Sequence, residues 1–108
     1  MNEPQVRVTE YVVSLFPAGH RDAHLFDITV AERGPGAWSV NHMGGCYGRD
    51  GTWNYEPIPS ERSHKWLTLY RFGSAEEAIE VAKRVAPTVW CNSTRADDRA
   101  ARAWAEAS

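Results

Sequence analysis

The sequence predicts a single α+β domain. An antiparallel β-meander of three to four strands is packed by one amphipathic helix, with a second helix at the C-terminus. Three observations carry this expectation. Phe26, Ile28 and Val30 alternate with Asp27, Thr29 and Ala31, the period of a strand with one buried and one wet face. Gly34-Pro35-Gly36 then breaks the run, and Trp38, Val40 and His42 resume the alternation, which is the pattern of a hairpin. Ser74-Ala75-Glu76-Glu77 has the form of a capping box and opens a stripe of apolar residues at helical spacing.

In chain order, Val6 to Phe16 reads as the first strand. Val6 and Val8 share one parity and Tyr11, Val13 and Leu15 the other, which predicts a bulge near Thr9–Glu10 or two short strands. Pro17-Ala18-Gly19 ends it, and a polar connection, His20 to Ala23, follows. The hairpin runs Leu25–Arg33 and Ala37–Met43. After Gly44-Gly45, either Cys46–Tyr47 or Thr52–Tyr55 supplies the next strand, around a turn at Asp50-Gly51. Pro57 and Pro59 stop further pairing because neither has an N–H to donate.

Ser60 to Phe72 fits two patterns. Trp66, Leu67 and Tyr70 suit a helix from about Glu61 to Tyr70 behind Ser60 as N-cap. Trp66, Thr68, Tyr70 and Phe72 equally suit a strand, and the polar opening turns favour the helix. Ala75, Ala78, Ile79, Ala82, Val85 and Ala86 form the stripe of the next helix, with Glu80 and Arg84 placed to pair on its wet side. Pro87 ends that helix, and Thr88 to Asn92 reads as a short return strand. Thr94 to Asp97 repeats the capping pattern before an Ala-rich helix, Arg95 to Glu106. Its apolar arc is shallow, with Trp104 as the one large residue that docking or homodimerisation would use.

Length and composition bound the function. A chain of 108 residues is one domain with apolar and aromatic residues enough for a core. A net charge of −2 argues against a polyanion as main partner. The N-terminal MNEPQVRV shows no secretory pattern and no apolar run approaches a membrane span, so a cytoplasmic protein without membrane association is expected. Cys46 and Cys91, 45 residues apart and outside any CxxC, read as free thiols. Ten Arg against two Lys, with 14 Ala, points to a gene from a GC-rich genome.

Residues that could carry chemistry are sparse. His42, Cys46, His64 and Cys91 have zinc-ligand chemistry, but only His42 and Cys46 are close in sequence, so no metal or other cofactor is expected. Cys46 with His42 or His64 as base is the one nucleophile arrangement to weigh, and no GxSxG elbow or phosphate-binding glycine pattern exists. Asp50 and Glu56 occupy turn and Pro-adjacent positions that favour carboxylates anyway. Single-stranded nucleic acid is an alternative partner: Trp38, Tyr47, Trp53 and Tyr55 as stacking platforms, Arg95, Arg99 and Arg102 for phosphates. The crowding of Tyr47, Trp53, Tyr55, Ile58 and Trp66 around two prolines favours a protein partner instead, since aromatics and Arg dominate hot spots. Trp53, Tyr55, Ile58 and Arg62 are the expected contact residues.

The run from Gly51 through Trp53, Tyr55, Pro57 and Pro59 to Arg62, followed by Arg71-Phe72, the helix from Ala75 and Ala86-Pro87, resembles small uncharacterised proteins of actinobacteria and their phages. The resemblance spans about residues 23 to 92 and carries no catalytic residues. It implies an origin in a phage or its bacterial host; with the short chain and the aromatic crowding, the expectation is a non-enzymatic, phage-encoded accessory protein in the host cytoplasm, docking onto a host or phage protein as a monomer or homodimer.

Overall fold

The computed structural model describes residues 3–107. Five strands form one antiparallel sheet in the order of the sequence: β1 (Glu10–Val13), β2 (Ile28–Gly34), β3 (Ala37–His42), β4 (Gly45–Tyr47) and β5 (Trp53–Tyr55). The meander has five strands because Cys46–Tyr47 and Trp53–Tyr55 both pair rather than one in place of the other. Two helices follow, α1 (His64–Tyr70) and α2 (Ala75–Val85). A second small sheet, β6 (Trp90–Cys91) against β7 (Thr94–Arg95), leads into α3 (Ala96–Ala107). Among the described residues no helix is long and apolar enough to cross a membrane.

Register sorts the side chains into two faces. Tyr11 stands opposite Val30, Val30 opposite Val40, and Glu32 opposite Trp38. Ile28, Val30, Trp38, Val40 and Tyr47 are therefore on one face, where Ala78, Val81, Ala82 and Val85 of α2 bury them. Small residues on α2 let the helix backbone approach the sheet closely, and the branched strand residues fill the gap. On the opposite face Asn41, Cys46 and Asn54 stand side by side across β3, β4 and β5. Ser39, Cys46 and Arg71 are buried there, so this face is sealed by polar groups rather than by a helix stripe.

The turns follow local chemistry. At Gly34-Pro35-Gly36 the register slips between Glu32 and Gly34, and Gly36 takes φ +64°. The β4–β5 loop differs from the expected two-residue Asp50-Gly51 turn. Gly51 N–H donates to Gly48 O at 3.0 Å, only Gly51 of that pair has positive φ, and Asp50 accepts from the Thr52 amide and hydroxyl. This is the wider turn with a glycine bulge.

Several element boundaries differ from the sequence expectation. The register of the first strand covers Glu10–Val13, with one further bond from Glu32 N–H to Thr9 O, and Val6 and Val8 are exposed. Leu25 belongs to a 3-10 turn, Ala23–Leu25, rather than to β2. Helix α1 begins three residues late: Ser63, not Ser60, accepts from the Trp66 amide, because Pro59–Glu61 forms its own 3-10 turn. Phe72 leaves the helix and exchanges two 2.8 Å main-chain hydrogen bonds with Trp38, adding an isolated bridge beside β3.

Ser74 caps α2 as expected, accepting from the Glu77 amide at 3.2 Å. Glu77 does not close the box; its carboxylate pairs with Arg49. The buried arc of α2 includes Val81, while Glu80 pairs with Lys83 and Arg84 donates to Arg49 O. Thr94 and Arg95 lie in β7 rather than at a helix cap, across a Cys91–Thr94 hairpin whose Asn92 and Ser93 both have positive φ. Helix α3 docks through Ala96, Ala100 and Ala103 and not by burying Trp104, whose indole N–H reaches Leu15 O at 2.7 Å.

Candidate functional site

His42 and Cys46, weighed as base and nucleophile, lie apart. They project from opposite faces, since His42 is paired with Gly45 and Cys46 with Asn41. His42 Nε2 lies 2.8 Å from Leu25 O. Burial pushes the Cys46 thiol up from its ordinary pKa, with Glu56 adding to the rise and Arg71 opposing it, so the sulfur is held as a neutral thiol. Both cysteines are free. Among the described residues no three His, Cys, Asp or Glu side chains are grouped to hold a metal ion.

The arginine stripe on α3 is largely committed inside the chain. Arg99 Nη2 donates to Asp22 at 2.6 Å and lies near Glu106, while Arg95 bonds Asp97 and Pro87 O. The Arg99 contact holds the Asp22 carboxyl below its usual pKa. Of the three arginines only Arg102 is exposed. Trp38 and Tyr47 are covered from the α2 side, which removes two of the four aromatics a nucleic-acid platform would use.

Arginines outside that stripe build the β5 end. Arg71, 8% exposed, donates to Glu56 at 2.8 Å and lies over the Trp66 ring, 4.9 Å from its centre. Arg62 reaches Pro57 O at 2.9 Å and Glu56 at 3.4 Å, and sits over Trp66 from 5.6 Å. Trp66 stacks on Tyr70, whose hydroxyl accepts from Asn54. Arg49 crosses Phe72 and donates to Thr68 O and Arg71 O. These side chains staple α1 to the Cys46–Asn54 face.

The four expected contact residues are thereby divided. Trp53 and Tyr55 share the α2-side face of β5, in edge contact with ring centres 4.8 Å apart. Arg62 belongs to the staple on the other face, half-buried against Glu56, Pro57 and Trp66. Ile58 is exposed in the segment between them.

Trp53 is the floor of a crevice. Its indole lies across Gly45, where a Cβ would come within 2.3 Å of the ring, and its N–H donates to His42 O at 2.9 Å. The cavity, about 360 Å³, is lined by His42, Met43, Tyr47, Trp53, Thr88 and Trp90. Helix α2 ends before this part of the sheet and the Thr88–Trp90 segment forms the wall instead. Around the floor Tyr55 is 76% exposed, Trp90 64% and Met43 55%. Met43 and Trp90 were not among the expected contact residues. Alternation through Val89, buried, and Trp90, exposed, is the signal that would have found the second.

No family model, curated protein or solved structure matches this chain.

Proposed function

We propose that this chain is a non-enzymatic interaction protein that docks onto another protein, a host or phage protein, through the aromatic crevice at the β5 end. One observation carries the reading: Tyr55, Trp90 and Met43 stand exposed around the half-buried Trp53, although the same chain buries Trp38, Tyr47 and Phe72 almost completely. Contiguous exposed apolar surface around a rigid aromatic floor is what hot spots are made of. Trp53 is pre-positioned by its bond to His42 O, so little ordering entropy remains to be lost on binding. The sealed thiol of Cys46 and the separation of His42 from it favour binding over catalysis. Ile58 extends the surface along the chain; Arg62 supports it from behind.

The resemblance to actinobacterial and phage proteins directs the test to an actinobacterial lysate. Tagged protein is expected to retain a specific protein that the Tyr55→Ser/Trp90→Ser variant does not retain. Recovery that nuclease abolishes, or that the variant leaves unchanged, would overturn the reading.

A further inference from the structure

We infer that the opposite edge of the sheet, β1, pairs antiparallel with β1 of a second copy of this chain. The pairing would join two five-stranded sheets across a two-fold axis. This surface is separate from the crevice and the inference does not depend on it.

The main chain specifies the occupant. Glu32 N–H donates to Thr9 O at 2.9 Å, which makes Thr9 and Glu32 a hydrogen-bonded pair of the β1–β2 ladder. In an antiparallel ladder such pairs alternate, so Tyr11–Val30 and Val13–Ile28 are bonded inward. The N–H and C=O groups of Glu10 and Val12 therefore point away from the sheet, and β1 is its terminal strand. A row of outward donors and acceptors is a template for another strand. Native edges are blunted by charge, Pro, a bulge or short length; Glu10-Tyr11-Val12-Val13 is four residues long with no Lys, Pro or bulge, and its one charge is Glu10. The β5 edge is only three residues long and runs into Pro57 and Pro59.

The side chains make the edge complementary to itself. With Tyr11 opposite Tyr11 of the second copy, Glu10 of each chain faces Val12 of the other. Neither like-charge opposition nor an unmatched main-chain group results, and Glu10 and Val12 meet as hydrogen-bonded pairs. Between β1 and α2 lies an open groove of about 480 Å³ with Tyr11, Val13, Leu15, Ile79 and Ala86 in its walls and Lys83 at its rim. Tyr11 packs against Trp38 of its own sheet, ring centres 6.0 Å apart, so in that register the two Tyr11 rings stand beside one another at the mouths of the two grooves. Val12 on this edge is 60% exposed, and Val6 and Val8 in the segment before it are exposed too.

The chain also has surface to spare. A compact monomer of 12.1 kDa exposes roughly 6,000 Å², whereas this one exposes 7078 Å². Its radius of gyration is 15.5 Å, against about 13 Å for a compact domain of this length. The molecule is a slab of 49 × 39 × 20 Å. Part of the excess is the uncovered segment from Glu3 to Glu10 that leads into β1.

The test is the mass of the full chain by sedimentation equilibrium, with two variants. Wild type is expected at twice the 12.1 kDa chain mass at high micromolar concentration. Val12→Pro, which deletes only an outward-pointing N–H, is expected at the monomer mass; Val12→Lys, changing an exposed side chain, is the control should proline disturb the strand. Tyr11→Cys in a Cys91→Ser background should cross-link under mild oxidation, because directly opposed non-hydrogen-bonded positions bring Cβ atoms within disulfide reach. A wild-type chain that stays monomeric throughout the range would overturn the inference. So would a dimer that survives both Val12 variants and yields no Tyr11→Cys cross-link.

Discussion

The two ends of the sheet are built on different physics. At the β1 end, Val13, Ile28 and Val30 pack in the core that α2 covers, and what is left over is the outer edge of β1, with Val12 exposed and an open groove beside α2. At the β5 end no long helix covers the strands. One face is closed by the Arg71–Glu56–Arg62–Trp66 staple and the other is left open with aromatics around it. Apolar packing is non-directional and tolerates a featureless rim. A staple of charge-assisted hydrogen bonds fixes particular side chains in place, which a pre-formed contact surface requires.

The comparison can be broken first at its strongest point. Ile28, fully buried opposite Val13, anchors the β1 end, and Ile28→Ala is expected to cost about 3 kcal/mol in chemical denaturation. Arg71→Ala removes the centre of the staple and should cost about 2–3 kcal/mol, less than a wholly buried pair because Glu56 keeps Arg62 and some solvent. The two should also differ in kind: the Arg71 variant shifts the fluorescence of Trp66, whereas Ile28→Ala lowers the global midpoint without that local change. Equal local signatures would erase the distinction between the ends.

Gly45→Ala sharpens the β5 side. The new methyl would lie 2.3 Å from the Trp53 ring and 2.7 Å from Asn54 O, so the strand or the indole must move. A cost of about 2 kcal/mol is expected, with Trp53 emission shifted toward that of an exposed indole. Unchanged emission would mean that Trp53 is not held across Gly45.

Much of the β1 end was legible in the sequence and much of the β5 end was not. Phe26, Ile28, Val30, Trp38 and Val40 advertise their faces by alternation, and the Ser74 cap with its helical stripe marks α2. Periodicity works there because burial is the only demand on those residues. Val6 and Val8 look equally strand-like but lie where nothing covers them, so the register begins at Glu10. At the other end nothing in the pattern marks Arg49 or Arg71, although Arg49 holds Thr68 O, Arg71 O and Glu77, and Arg71 holds Glu56. Charged residues that fold inward leave no period. The same blindness affected Arg99, expected on a phosphate-facing stripe and found clamped to Asp22, 77 residues away.

That clamp supplies the mildest effect. Arg99 depresses the Asp22 pKa in the folded chain, so its stabilisation is present above the ordinary carboxyl value of 3.8 and is lost as pH falls through the lower folded value. Amides of α3 should therefore gain exchange before those of the sheet in acid, and Asp22→Asn should flatten that acid limb. An α3 that holds to the same pH as β2 and β3 would show that the clamp contributes nothing.

Under the proposed function the β5 crevice, and not the β1 edge, meets the foreign protein. This is tested most directly by titrating the captured protein against wild type, Tyr55→Ser/Trp90→Ser and Val12→Pro under one set of conditions. The crevice variant is expected to lose at least about 2 kcal/mol of binding, roughly thirtyfold in Kd, while Val12→Pro binds each site as wild type does. Undiminished binding by the crevice variant, with its fold intact, would contradict that reading.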